Sequence, residues 1–369
     1  MSYQPGRMGI AEGMALVFVI LLPRVFLTAP ANETAVVATA GWWAPIVAGL
    51  PAILTIIAWG YILQHTSGDL HSVSEQLVGR VGAWVVTSVC IAIFFLNAAL
   101  LLRQFAENTL LTALPKMEFS FIVGWYALVA ALGARLGLEA LARGAYLLLP
   151  ISVFSLLIVL LLLAPNYDTY NLVPWQGYGL LPSFKRGMQE SGNNVGALIL
   201  VIVAPAMQNI RTFKWAGILG IIGSVLIKAL SMLVFIMVFG VAVASEKVLP
   251  FFEMARLVYM SRYLQRIEAL FIILWVIAGL LGIAVSLYMG AYLITRLLKL
   301  PSLKPLIPLS AYIIAQLAII PPDIATVIRL DGVVVTSFFT TTLFSLTPLL
   351  LVATMVKTYK KGDQSCSSD

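Results

Sequence analysis

Long apolar stretches separated by short polar ones dominate the hydropathy pattern, and ten of them are long enough to cross a bilayer. A hydrocarbon core of roughly 30 Å needs about 20 apolar residues in a helix, and on that measure helices are predicted at about 8–29, 42–63, 82–106, 119–135, 144–164, 193–210, 215–243, 267–295, 305–321 and 333–357, with a polar tail at 358–369 expected to be disordered. The chain reads as an all-α integral membrane protein in one polytopic unit. Its first apolar run exceeds the h-region of a signal peptide and lacks a small-residue cleavage site, so it is expected to remain as the first transmembrane helix.

That first span is interrupted by Pro23 and Arg24. A helix that stops at membrane depth frees backbone N–H and C=O groups, which survive there only inside protein or beside a water-filled cavity. The sixth span opens with Ser191, Gly192, Asn193, Asn194, Val195 and Gly196, and carries Pro205 later. Glycine and asparagine disfavour regular helix and offer local hydrogen bonds. Asn193 and Asn194 are either an N-terminal cap or part of a second break. Ten spans with irregular first and sixth members form two halves of five, the inverted repeat of LeuT-like transporters, whose binding sites lie at such breaks.

Composition agrees with the membrane reading, since 61% of the 369 residues are hydrophobic and 11% charged, against about 25% charged in soluble domains. The net charge of +7 does not point to nucleic acid, because the basic residues lie between spans rather than in a stripe with aromatics. Lys and Arg concentrate in the loops that share a side with both termini. Positive-inside therefore puts the termini in the cytoplasm. On the opposite side, Tyr167, Tyr170, Trp175 and Tyr178 form an interfacial aromatic set suited to anchoring among lipid headgroups, and residues 246–264 read as an amphipathic helix, either a lid or an anchor.

Cys90 and Cys366 provide no disulfide framework. His65 and His71, with Asp69 between them, are too sparse for a metal site, and no GxGxxG, Walker A, GxSxG or HExxH occurs. No enzyme chemistry and no cofactor is expected.

Five stretches resemble one family in order and spacing: FLTAP at Phe26–Pro30 followed by GWW at Gly41–Trp43, NLVPWQGYG at Asn171–Gly179, QRIEALFIILWV at Gln265–Val276, and PPD at Pro321–Asp323. Together they are similar to the B subunit of Ger-type spore germination receptors, within the amino acid, polyamine and organocation permease superfamily, over nearly the whole chain. The resemblance implies a subunit in the inner membrane of the dormant endospore. It would sense a small germinant such as an amino acid, alongside a membrane A subunit and a lipoprotein C subunit. Family members have a small, glycine-containing break where this chain has Pro23, Arg24 and Val25, and often an acidic residue near Ile199. The alternative on the same fold is a secondary amino acid transporter coupled to protons or cations.

Candidate ligand contacts are Leu22, Pro23, Arg24, Asn97, Asn193, Asn194, Gly196, Gly279 and Gly282. Arg24 either offers a forked donor to a ligand carboxylate, or snorkels or pairs with Glu33. Asn97, mid-way along the third span, needs an internal partner. Gly279 and Gly282 either admit a ligand or let a helix approach. Lys228 sits at the middle of the seventh span, too deep to snorkel, and must face protein; it is a candidate ion or proton site, or a structural or partner contact. Arg103 and Glu107 read as a structural i, i+4 pair.

Overall fold

In the computed structural model, which describes residues 8–27, 29–258 and 267–366, every element among the described residues is helical apart from one isolated bridge between Met8 and Met207. Six helical stretches are long and apolar enough to cross a membrane, and α1, α5 and α12 are shorter apolar helices.

Helix α1 (Ile10–Leu21) stops at the proline, as the missing N–H requires. At 1.5 Å per residue its 12 residues cover roughly 18 Å, about half a crossing. A 3₁₀ turn at Pro23–Phe26 and a second helix, α2 (Ala29–Val37), carry the chain onward. Residues 15–22 are almost wholly buried, as expected for a helix apolar on every face.

After a 3₁₀ turn come α3 (Ala44–His65) and α4 (Leu70–Thr112). Asp69 caps α4, accepting the Ser72 N–H at 3.0 Å, and Gly79 at φ 77° breaks the α4 path, setting Leu70–Val78 apart from the spanning portion. Asp69 is 1% exposed and also accepts bonds from Arg296 Nε and the Ser72 hydroxyl. Burial by itself would raise its pKa, but the bonds from Arg296 and Ser72 outweigh that and hold it below the usual carboxylate value. His71 bonds Thr87 at 2.9 Å and His65 bonds its own helix at Tyr61.

Helices α5 (Phe119–Arg135) and α6 (Leu138–Leu162) complete the first half. The loop that follows is fastened down: the Asn171 amide donates to Met237 O at 3.0 Å and the Thr39 hydroxyl to Pro174 O. Tyr170, Trp175 and Tyr178 are exposed on it.

The second half departs from the sequence reading at two places. Hydropathy starts the sixth span at 193, whereas helix begins at α7 (Leu180–Gln189), passes through a 3₁₀ segment at Glu190–Leu198, and ends in α8 (Ile199–Ile202). Lys185, Arg186 and Glu190 disguised this as loop, because Arg186 and Glu190 neutralise each other inside the protein. The asparagines therefore lie within a break rather than capping a helix at the surface. Later, α9 (Ile210–Ala244), α10 (Pro250–Leu257), α11 (Ile267–Leu297) and α12 (Leu306–Ile319) follow. Part of the predicted amphipathic segment 246–264 forms α10, which buries Phe251, Met254 and Ala255; residues 259–264 lie outside the described set.

The last span begins earlier than its hydropathy, at α13 (Ile324–Val333), capped by Asp323 and continued by a π-helical turn at Val334–Phe339 into α14 (Thr340–Cys366). Asp331 had marked this stretch as loop. The tail, expected to be disordered from 358, instead extends α14 to Cys366.

Close approaches are made at glycine. A Cβ on Gly220 of α9 would stand 2.9 Å from Met14 O and 2.8 Å from Val17 of α1, and one on Gly217 would meet Ile56 of α3 at 2.7 Å. Small residues at helix crossings are how membrane helices gain van der Waals contact when lipid offers no hydrophobic contrast. A close backbone approach joins the sixth and last spans, where a Cβ on Gly192 would lie 2.2 Å from Val335 O. The Gly192 N–H donates to Thr340 Oγ1 at 2.8 Å, and the single proton of that hydroxyl is within reach of Gln189 O at 2.6 Å and Val335 O at 2.9 Å.

Gly192→Ala should cost more than an ordinary overpacking substitution, about 3 kcal/mol or above, because the obstacle is backbone carbonyl rather than a flexible side chain. Thermal unfolding in detergent is expected to show a clear fall in Tm. Asp69→Asn should lower Tm near neutral pH, and the deficit should shrink in acid. A depressed folded pKa contributes stability above the unfolded value of about 3.9, and that contribution disappears as pH falls through the folded value.

Candidate ligand-binding site

Arg24 is carried on the 3₁₀ turn that Pro23 begins, and it is 5% exposed. Its guanidinium is fully engaged on one side: Nη1 donates to Asp331 Oδ1 at 2.7 Å and Oδ2 at 2.9 Å, and Nη2 donates to Asn97 Oδ1 at 3.0 Å. Asn97 passes the chain on, its amide donating to Ser286 Oγ at 3.0 Å. Four elements are thus joined: α13, the first break, α4 and α11. The pairing of Arg24 with Glu33 that the sequence allowed does not form.

Glu33 belongs to a second group. It lies on α2 with a carboxylate oxygen 3.7 Å from Arg186 Nε, and Arg186 is ion-paired to Glu190 one helical turn on. The Asn193 amide donates to Glu190 Oε2 at 2.5 Å. Both carboxylates are buried, at 8% and 7% exposure. Two acids therefore share one arginine.

Lys228 on α9 is 8% exposed, and its amine has no hydrogen-bond partner among the described residues. It turns inward as its depth demands. The Asn194 amide donates to Ala48 O at 2.9 Å, while Asn194 Oδ1 has no hydrogen-bond partner among the described residues and Glu33 Oε2 keeps its 3.7 Å contact with Arg186.

These groups surround one cavity of about 50 Å³, lined by Arg24, Glu33, Glu190, Asn193, Asn194 and Lys228 with Pro30, Pro45, Ala48 and Met232. At about 10–15 Å³ per water it holds a few waters or a very small solute. Larger clefts of about 630 Å³ and 200 Å³ open elsewhere, the first beside His71, Tyr292, Arg296 and Lys299 and the second beside Thr66, Pro205 and Asn209. Neither touches the breaks at Pro23 and Glu190–Leu198, whereas the small cavity combines both breaks with buried polar atoms that have no hydrogen-bond partner among the described residues.

Of the residues singled out in the sequence, Arg24, Asn193, Asn194 and Lys228 line this cavity. Leu22, Pro23, Asn97, Gly196, Gly279 and Gly282 do not; they set how the surrounding helices meet. A Cβ on Gly196 would press Ile20 at 2.9 Å, one on Gly279 would enter the Phe105 ring at 2.1 Å, and one on Gly282 would approach Pro23 at 3.2 Å. Arg103 pairs with Glu107 at 2.6 Å and also reaches Ala318 O at 3.2 Å. Glu190, Arg186 and Asp331 were missed as site residues, and Glu33 was considered only as a partner for Arg24. Their signal was available, since an ionised group inside an apolar stretch has to find a partner within protein.

A model of the Spore germination protein family, a permease family, matches residues 8–327. The chain belongs to that family. It is 24% identical over 220 residues to Spore germination protein KB of Bacillus subtilis (strain 168), a match that spans 58% of this chain and 58% of that relative. Among solved structures, MhsT in complex with L-phenylalanine aligns with 96% of this chain and 99% of its own at TM-score 0.63 and 14% identity. Mhp1, a nucleobase-cation-symport-1 family transporter in a closed conformation with bromovinylhydantoin bound, aligns with 95% of this chain and 80% of its own at TM-score 0.66 and 13% identity. The family member is therefore an integral membrane protein with the LeuT-like fold of ten spans, its first and sixth members broken. The permease family and the Mhp1 transporter are not enzymes.

Removing one partner of a buried ion pair strands the other, at about 3–5 kcal/mol. Arg24→Ala and Asp331→Asn should each lower Tm and membrane abundance strongly. The double variant Arg24→Ala/Asp331→Ala should be less destabilised than the sum of the two single Ala variants, a non-additivity that a double-mutant cycle on detergent-solubilised protein will read.

Proposed function

We propose that this chain is the ligand-sensing membrane subunit of a spore germination receptor, binding a small nutrient of the amino acid class in the cavity between the two helix breaks. The observation that carries the reading is the meeting of Arg24, Glu33, Glu190, Asn193, Asn194 and Lys228 around one space at both interruptions. Backbone irregularity at membrane depth is maintained where it lines a cavity, and half-helices there bind solutes. Family membership supports the germination role.

Signalling then follows from differential affinity. A ligand that binds one arrangement of the broken spans more tightly than another shifts their populations by that difference and no more. Because the cavity now has room for only about 50 Å³, the ligand-bound arrangement is wider, and the movement needed to widen it is the signal. In this reading the chain lies in the spore inner membrane with both termini cytoplasmic, and it acts with a membrane A subunit and a lipoprotein C subunit that receive the movement. The second reading is a secondary amino acid transporter, supported by the likeness to Mhp1, in which the same widening would alternate between the two sides.

The readings separate in two assays. Spores carrying Asn194→Leu at matched receptor abundance should need about 10-fold or more germinant for half-maximal response, because the substitution removes one polar contact to a charged ligand group. Reconstituted wild-type chain should bind the germinant without accumulating it in proteoliposomes. Accumulation driven by an ion gradient would establish the transporter reading instead.

A further inference from the structure

We infer that the cleft beside Arg296 holds the headgroup of an ethanolamine phospholipid, its phosphate against the Arg296 guanidinium and Lys299 and its ammonium against Glu75. This site is separate from the cavity at the helix breaks and does not depend on the proposed sensing function.

Two helices make the cleft. Tyr288, Tyr292, Arg296 and Lys299 follow one another at helical spacing along the end of α11 and line one wall. The other wall carries His71, Ser72 and Glu75, from the short opening segment of α4 that Gly79 sets apart from the spanning portion. Phenols followed by cations at the end of a spanning helix mark the level where hydrocarbon gives way to headgroups. Leu300 and Leu303 add an apolar edge, and the volume of about 630 Å³ falls within the roughly 300–1,000 Å³ of small-molecule sites.

Arg296 is positioned here without being used up. Its Nε donates to Asp69 Oδ2 and its guanidinium carbon lies 6.0 Å from the centre of the Tyr292 ring, while Nη1 and Nη2 have no hydrogen-bond partner among the described residues. Asp69 is occupied by Arg296, by the Tyr292 hydroxyl at 3.3 Å and by Ser72, and its 1% exposure keeps it from the cleft. Two open Nη groups form the fork that fits a pair of phosphate oxygens. Lys299 comes less than one turn later, at φ 52°. Glycine ends helices in that left-handed conformation without steric cost, so a lysine there carries backbone strain, which collects at binding sites. His71 is 7% exposed and gives Nδ1 to Thr87, which leaves Nε2 without a partner among the described residues.

Charge counting adds the second group. Asp69 offsets Arg296, so the cleft keeps Lys299 and Glu75, both exposed and neither in an ion pair among the described residues. A purely anionic headgroup would satisfy Lys299 and oppose Glu75. A phosphate joined to a primary ammonium satisfies both, and choline carries the positive charge with no N–H to donate.

The test is native mass spectrometry of the full-length chain in detergent, titrated with phosphatidylethanolamine, phosphatidylcholine and phosphatidylglycerol of matched acyl chains, and with soluble O-phosphoethanolamine as competitor. Phosphatidylethanolamine should bind about 5-fold more tightly than the other two, near the upper limit for an exposed ion pair. Lys299→Gly should weaken all three lipids by a similar factor without a fall in Tm, because it removes the cation and relieves the backbone. Glu75→Gln should erase the advantage over phosphatidylcholine and leave phosphatidylcholine itself unchanged. Equal binding of the three lipids by the wild-type protein overturns the inference, as does tightest binding of phosphatidylglycerol. Wild-type affinity for phosphatidylethanolamine in both variants overturns it too. Competition by O-phosphoethanolamine at the lipid's own concentration overturns the lipid assignment and makes a soluble phosphate the occupant.

Discussion

The ion pair between Arg24 and Asp331 is the constraint on which the arrangement of the site depends. A helix that crosses half a membrane and stops has open backbone groups and no intrinsic reason to continue in any one direction. Here the turn that follows α1 is anchored by a bidentate bond to the last span, 307 residues away in sequence, and by Asn97 to the third. Such a pair adds little net stability over an apolar substitute, but it enforces geometry strongly, since breaking either partner leaves a buried charge. Removing Arg24 from the set of available cations also makes Lys228 chemically conspicuous.

The last span holds both breaks. Asp331 reaches the first, and one π-helical turn later Val335 and Thr340 receive the second through Gly192. π-helical insertions concentrate at functional places because they misalign the helix on either side. In this chain the insertion lies between the residue that grips the first break and the residues that grip the sixth. Contacts from α13 and from the junction of the π-helical turn with α14 thus tie the last span to both breaks.

Three ionisable groupings lie within one buried region. Arg24 and Asp331 are a closed pair, Arg186 contacts both Glu33 and Glu190, and the Lys228 amine has no hydrogen-bond partner among the described residues. Breaking a closed buried pair leaves an uncompensated charge. The cavity is polar along these side chains and apolar where Pro30, Pro45, Ala48 and Met232 line it.

Hydropathy alone determined the membrane class, the spans whose apolar runs are unbroken, and the interruption at Pro23, because these follow from local chain chemistry: backbone groups in hydrocarbon must bond within their own helix, and proline cannot. The inward turn of Lys228 was legible for the same reason, its depth leaving no route to water. The start of α7 and the whole of α13 were not legible, because Arg186, Glu190 and Asp331 read as loop residues until their partners are known: Arg186 pairs with Glu190 one turn on and contacts Glu33 on α2, and Asp331 pairs with Arg24 at the first break. Asn97 and Gly279 read equally well as ligand contacts or packing; only the positions of Arg24, Ser286 and Phe105 decided between them. Which cation is satisfied and which is open is a property of pairing across as many as 307 residues, and pairing over that distance exists only in the folded chain.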